Sequence, residues 1–199
     1  LFQPVGQHPC AVIGRMLFGD GGNEISGVDP VLLVPGQDMG PGRLIANLED
    51  HRSVLRDALE TAQRHVVIVS PFLTEVVIAA DDVEAEIHAA ARRGVQVRIV
   101  SDPQLNKDQA AFERCVRLLE NAGAQVRRAT TQGVHSKMLL VDRSWLVIGS
   151  FNWLSAVRHS ESQWARYESS LRYDGNEAFE MISKSLRDLA EIVGQRAAS

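Results

Sequence analysis

From about residue 46 the chain alternates between apolar residues at helical spacing and short continuous apolar runs. Asn47 is placed to cap a helix whose apolar face carries Leu48, Leu55, Leu59 and Ala62. The run Val66–Val69, ended by Ser70-Pro71, is apolar on both faces and reads as a buried strand. A second helix shows Val83, Ile87 and Ala90 on one side, with Gly94 as its C-terminal stop. Val95–Val100 is the next strand, broken by Asp102-Pro103. Asn106 then caps a helix carrying Ala111, Cys115, Leu118 and Leu119 up to Gly123, and Ala124–Ala129 forms a short third strand. Strands alternating with helices over short connections predict a βαβαβ unit with parallel pairing and right-handed crossovers.

After Gly133 the rhythm changes. His135–Val141 and Trp145–Ser150 are strand-like runs separated by the turn residues Asp142-Arg143-Ser144, an antiparallel hairpin added to the parallel sheet. Leu154–Trp164 reads as helical, Ser169–Tyr173 as a strand, and Asn176–Val193 as a closing amphipathic helix. The expected class is α/β: a mixed, mostly parallel sheet flanked by helices. Residues 1–45 differ in composition, holding nine of the 15 glycines and five of the seven prolines. They read as a loop-rich segment with two short strands at Ala11–Ile13 and Val31–Val34, a linker or the edge of a neighbouring domain. The domain with the regular pattern is 46–199. The first residue is Leu1 rather than Met, which reads as a piece cut from a longer protein.

Composition narrows the class further. At 199 residues, 45% hydrophobic and 23% charged, the chain is long enough to bury a core and too apolar for intrinsic disorder. Two cysteines, Cys10 and Cys115, are too few for a disulfide framework, so a reducing, cytoplasmic setting is expected. Neither a membrane span nor a signal peptide is expected, and no membrane partner. Of the 21 basic residues only three are lysines, Lys107, Lys137 and Lys184.

The candidate chemistry lies between residues 135 and 152. His135-Ser-Lys137 is followed by Asp142 and then by Gly149-Ser150-Phe151-Asn152, the pattern H-x-K-x4-D-x6-G-S-x-N. His135 and Lys137 are two apart on the expected strand, so both project from one face. An imidazole nucleophile beside an ammonium suits an anionic centre. Ser150 and Asn152 add a hydroxyl and an amide at the end of the return strand, and Gly149 lets backbone approach closely. Lys137 and Asn152 are donors suited to phosphate oxygens whose charge grows in a transition state. Asp142 has the opposite parity to His135 and reads as structural or orienting.

This string resembles the HKD signature of the phospholipase D superfamily at every signature position. The resemblance extends upstream to Val69-Ser70-Pro71-Phe72 and Arg93–Ile99, and covers roughly residues 46–193. It implies that His135 attacks phosphorus to give a covalent phosphohistidine, and that Lys137 and Asn152 bind non-bridging oxygens with Ser150 in support. It also implies an acid beyond the motif: Glu168, with Glu161 as its rival. No metal and no other cofactor is implied. Since one motif is present where two histidines are needed, the resemblance implies a homodimer with the active site at its interface, as in the small bacterial endonucleases.

The net charge of −4 argues against a nucleic-acid partner until it is divided along the chain. Residues 1–60 hold four bases and eight acids, whereas 61–199 hold 17 of each. Arg143, Arg158 and Arg166 belong to an excess of bases around the motif and, with Gly149, are candidate phosphate contacts. The expected activity is a metal-independent DNA endonuclease. The alternatives are a phospholipase D-type lipid hydrolase and a catalytically weak nucleic-acid-binding module. His8, His51, His65 and His88 lack metal-ligand spacing and read as surface or boundary residues; His159 reads either as a phosphate contact or as part of a solvated helix face. Trp145, Trp153 and Trp164 are assigned mainly to packing, with base stacking as the alternative, and Cys115 to the core.

Overall fold

In the computed structural model, which describes residues 42–159 and 161–194, Asn47 caps helix α1 (Leu48–Thr61). Its side chain accepts from the Asp50 N–H at 2.8 Å. The helix buries His51, Val54, Leu55, Ala58 and Leu59, a stripe of one helical period. Strand β2 (His65–Val69) is followed by helices α2 (Glu75–Ala80) and α3 (Val83–Arg92), then by β3 (Gln96–Ser101), α4 (Gln109–Asn121) and β4 (Gln125–Arg128). The hairpin is β5 (Lys137–Val141) and β6 (Trp145–Gly149); β7 (Ser170–Asp174) leads directly into helix α5 (Gly175–Ile192). A short strand β1 (Arg43–Ile45) precedes α1, so the sheet includes residues that composition alone groups with the N-terminal segment. The strands expected at Ala11–Ile13 and Val31–Val34 lie outside the described residues.

The sheet order is β1-β7-β6-β5-β2-β3-β4. Strands β2, β3 and β4 are parallel, as the βαβαβ pattern requires, and the hairpin pairs antiparallel through β5 against β2. Strands β7 and β1 add two more antiparallel pairings. Alternate residues face opposite cores. Val66, Ile68, Leu139 and Val141 pack beneath α1, α3 and α4; Val67, Val69, Met138 and Leu140 pack against Ala178, Ile182 and Leu189 of α5. Burial on both faces is why these strands are continuous apolar runs.

Two local expectations are corrected. The cap of α4 is Asp108, which accepts from the Ala111 N–H at 2.9 Å, and not Asn106. Asn106 donates to the carbonyls of Pro71 (2.9 Å) and Asp102 (2.7 Å), and accepts from the Leu73 N–H at 3.1 Å. It ties the ends of β2 and β3 together. Of the segment 154–164, read as a helix, residues 154–159 and 161–164 are turns and irregular chain. Trp153 and Leu154 are fully buried, and the Arg158 guanidinium donates to the carbonyls of Trp153 (2.7 Å) and Ala156 (2.8 Å). Those are carbonyls a helix would use for its own ladder, so tertiary contacts override the helical spacing.

Gly149 sits where β6 passes β7. A Cβ there would overlap the Ser169 carbonyl oxygen and the Cα and Oγ of Ser170. The close approach that the glycine permits is therefore to the neighbouring strand. Gly149→Ala is expected to cost about 1–3 kcal/mol by overpacking, read as a lowered urea midpoint.

Candidate active site

One edge of the sheet collects the carboxyl ends of β2, β3 and β6 with the amino ends of β5 and β7. The register pairs Lys137 with Gly149 and Gly149 with Ser170, so three strands begin or end side by side. Lys137 is the first residue of β5 and is only 7% exposed. His135 stands two residues earlier, exposed, on the loop leading into the strand. The Lys137 ammonium lies 3.2 Å from His135 Nδ1 and 3.3 Å from Nε2. A donor-only group makes this hydrogen bond only to a ring nitrogen that carries no proton. Phe72, from the Ser-Pro-Phe stretch after β2, meets the imidazole edge-on at 6.4 Å.

The loop carrying His135 is held by Asp102. Its buried carboxylate accepts from the Val134 N–H at 2.9 Å and from the Gln104 N–H at 2.9 Å. In the sequence Asp102 shows only as half of a strand-ending Asp-Pro. Ser150 links β6 to β7: its hydroxyl accepts from the Ser169 N–H at 3.1 Å, and its own N–H donates to the Ser169 carbonyl at 3.0 Å. Asn152 is half-buried, and its Oδ1 has no hydrogen-bond partner among the described residues. Burial pushes the Lys137 pKa down, and the Glu168 carboxylate pulls it part of the way back. Glu168 also lines a 390 Å³ cavity with Asn152 and Arg166. Glu161, its rival, is exposed in the preceding turn and does not line that cavity.

His51 is the residue that the sequence reading set aside and the fold places nearby. It is fully buried in α1 and stacks on Phe151 with ring centroids 4.2 Å apart. Its Nδ1 lies 2.7 Å from the Asn47 carbonyl, so Nδ1 carries the proton and Nε2 accepts from the Ser170 hydroxyl at 2.9 Å. Position 51 shares the helical stripe of Val54, Leu55 and Ala58, which was the available signal.

Other candidates lie elsewhere. Asp142 follows the last residue of β5, roughly 17 Å of strand from Lys137. There it accepts from the N–H groups of Gln63 (2.7 Å), Arg64 (2.8 Å) and His65 (2.7 Å). Burial acts to raise its pKa, but the three donors outweigh it and hold the carboxyl below its ordinary value. Arg143 is in the same turn, 5.7 Å from the Phe179 ring. Arg158 is buried and pairs with Asp81 at 2.7 Å. The basic excess of the sequence is thus dispersed: Arg128 pairs with Glu113 and Arg172 with Asp174, while Arg166 lines the cavity with Asn152 and Glu168. Trp145 and Trp153 are core residues, whereas Trp164 is 66% exposed; Cys115 is buried in the core. Among the described residues no group of His, Cys, Asp and Glu is arranged to hold a metal ion, and no helix is long and apolar enough to cross a membrane.

A mixed sheet with His, Lys, Ser and Asn brought to one edge is the arrangement of a phospholipase D-like domain. The family model described as "Cardiolipin synthase, PLD-like domain" matches residues 55–183, and the chain belongs to that family. Cardiolipin synthase A of Buchnera aphidicola subsp. Acyrthosiphon pisum (strain APS) is 28% identical over 166 residues, 79% of this chain and 31% of that protein. The chain thus spans about a third of the length of the curated relatives it matches. Among solved structures, Nuc from Salmonella typhimurium, a phospholipase D family member, superposes with a TM-score of 0.58 at 21% identity. That match covers 75% of this chain and 93% of Nuc. NucT from Helicobacter pylori superposes at 0.53 with 19% identity, covering 76% and 96%.

Acidification is expected to destabilise the fold in two windows. Burial holds the His51 pKa below its ordinary 6.5, against the raising effects of the Asn47 carbonyl, Glu168 and Asp50, so the unfolded chain binds that proton first. Stability present above pH 6.5 falls as pH drops toward the lower folded value, and thermal melts of His51→Gln lose this slope. The depressed Asp142 pKa contributes stability present above the ordinary 3.8 and lost below it. Asp142→Asn is expected to cost about 2–3 kcal/mol in urea unfolding at pH 7, with turnover retained while the variant stays folded.

Proposed function

We propose that the chain is a phosphodiesterase that works through a covalent phosphohistidine on His135, and that its substrate is DNA. The observation that carries the reading is the Lys137 ammonium, buried at the head of β5 and within 3.3 Å of both His135 ring nitrogens. An unprotonated ring nitrogen attacks phosphorus, and the N–P bond forms as the P–O bond to the leaving oxygen breaks. Lys137 and Asn152 hold the non-bridging oxygens as their charge grows, and Ser150 keeps Asn152 in place through its link to Ser169. The leaving oxygen takes its proton from a second histidine, which we assign to His135 of the partner subunit in a two-fold dimer. That histidine then accepts a proton from the water that attacks phosphorus and releases His135. Glu168, whose charge acts on Lys137, is the supporting acid.

Nucleic acid is favoured by the fold shared with Nuc and NucT over nearly their whole length, and by the archaeal chromatin protein TrmBL2, whose structure is described as showing a mode of DNA binding (TM-score 0.50, 12% identity). A lipid phosphodiester is the second reading, supported by the kinship to cardiolipin synthase A. Cleavage of an oligonucleotide in EDTA, with vesicles containing phosphatidylglycerol assayed in parallel, separates the two. For the DNA reading, His135→Ala is expected to lose at least roughly 10³-fold in kcat. Lys137→Ala is expected to lose about 10²–10³-fold with little change in KM. Acid quench of a reaction with labelled oligonucleotide traps label on the wild type and none on His135→Ala. Light scattering is expected to give twice the chain mass; a strict monomer that still cleaves would overturn the shared site.

A further inference from the structure

We infer that the 390 Å³ cavity beside the motif is a nucleobase subsite, receiving the base and sugar of the nucleotide next to the scissile phosphate. The inference rests on the nucleic-acid reading above and adds the residues that hold the substrate. The cavity shares two residues with the proposed machinery, because Asn152 and Glu168 line it and the Glu168 charge acts on Lys137. Two large aromatic side chains, Trp164 and Tyr167, also line it and stand 66% and 79% exposed. Trp145 and Trp153 are buried, so this pair is set apart from the core. Two rings held in water three residues apart at a cavity wall gain free energy only from something laid against them, and a base has a π-face for each.

Two polar features point the same way. The Asn152 Oδ1 is buried without a partner among the described residues, which is costly until a donor arrives, and the edges of nucleobases carry such donors. Arg166 donates only to the carbonyls of Gln163 (3.0 Å) and Ala165 (2.9 Å), and has no carboxylate partner among the described residues. Its charge is available to an adjacent phosphate. His159 and Glu168 in the wall add further polar partners, and the cavity volume lies at the small end of ligand pockets.

The test uses the full chain and single-stranded oligonucleotides in which one abasic nucleotide is moved along the strand, with methyl 4-nitrophenyl phosphate as a diester that carries no base. An abasic nucleotide beside the cleaved bond is expected to lower kcat/KM by about 5–150-fold, mostly through KM. Trp164→Ala and Tyr167→Ala are expected to lose a similar factor on the intact strand and little more on the abasic one, while Trp164→Phe restores it. Equal cleavage of intact and abasic strands, or equal losses by the variants on both, overturns the subsite and leaves the nuclease reading standing. A fall in assembly mass for Trp164→Ala also overturns it, because the ring is then a subunit contact. Hydrolysis of the small diester with no oligonucleotide cleavage overturns the nucleic-acid reading itself.

Discussion

A lysine buried at the mouth of the central hairpin is the constraint around which this site is built. An ammonium taken out of water without a full counter-charge is costly, and the cost shows as the lowered pKa of Lys137. Its nearest polar neighbour is an imidazole, not a carboxylate, so much of its capacity to donate is left for an anion. Glu168 offsets part of that burial effect through its charge, without a hydrogen bond to the ammonium. In the mechanism proposed above, a phosphoryl group arriving at His135 meets a preorganised charge that needs little reorientation.

Holding that charge in place is largely a problem of register. Strand β5 is buried throughout, and a slip of one residue would turn Lys137 to the opposite face. The two ends of the strand are fixed by different means. At the near end, Gly149 allows β7 to close on β6, and Ser150 fastens the two strands beyond their last pairing. At the far end, Asp142 gathers three successive N–H groups ahead of β2, and its own N–H donates to the His65 carbonyl. The motif thus mixes two kinds of residue. Its histidine, lysine and asparagine face the reaction edge, while its aspartate and glycine set the strand positions that bring them there.

This division explains what could be read in the sequence. The βαβαβ unit, the hairpin and the closing helix follow from local periodicity, and the motif from fixed spacing along one hairpin. Residues whose roles depend on distant partners could not be read that way. The segment 154–164 has helical spacing, but its Arg158 pairs with Asp81, far away in sequence. Asn106 has the chemistry of a cap and serves instead as a tie between two strand ends. The arginines near the motif form a cluster in sequence and a scatter in space, because alternate strand positions and opposite strand ends separate them. His51 was legible from its place on the apolar stripe of α1, although only the fold supplies its Ser170 and Phe151 partners.

The scatter of arginines changes how a polyanion can be selected. A broad basic face attracts any phosphate backbone and makes affinity steeply dependent on salt. At this site Lys137 heads β5 and Arg166 lines the neighbouring cavity, within a stretch, residues 61–199, that holds 17 bases and 17 acids. On the proposed nucleic-acid reading, long-range attraction is then modest, and discrimination falls to short-range contacts: the Lys137 cation, the amide of Asn152, and the exposed rings of Trp164 and Tyr167. Such contacts act only on a strand whose bases are accessible, since a base stacked and paired within a duplex offers these rings no free face. On the same nucleic-acid reading, scattered arginines together with exposed rings favour a single strand over a duplex.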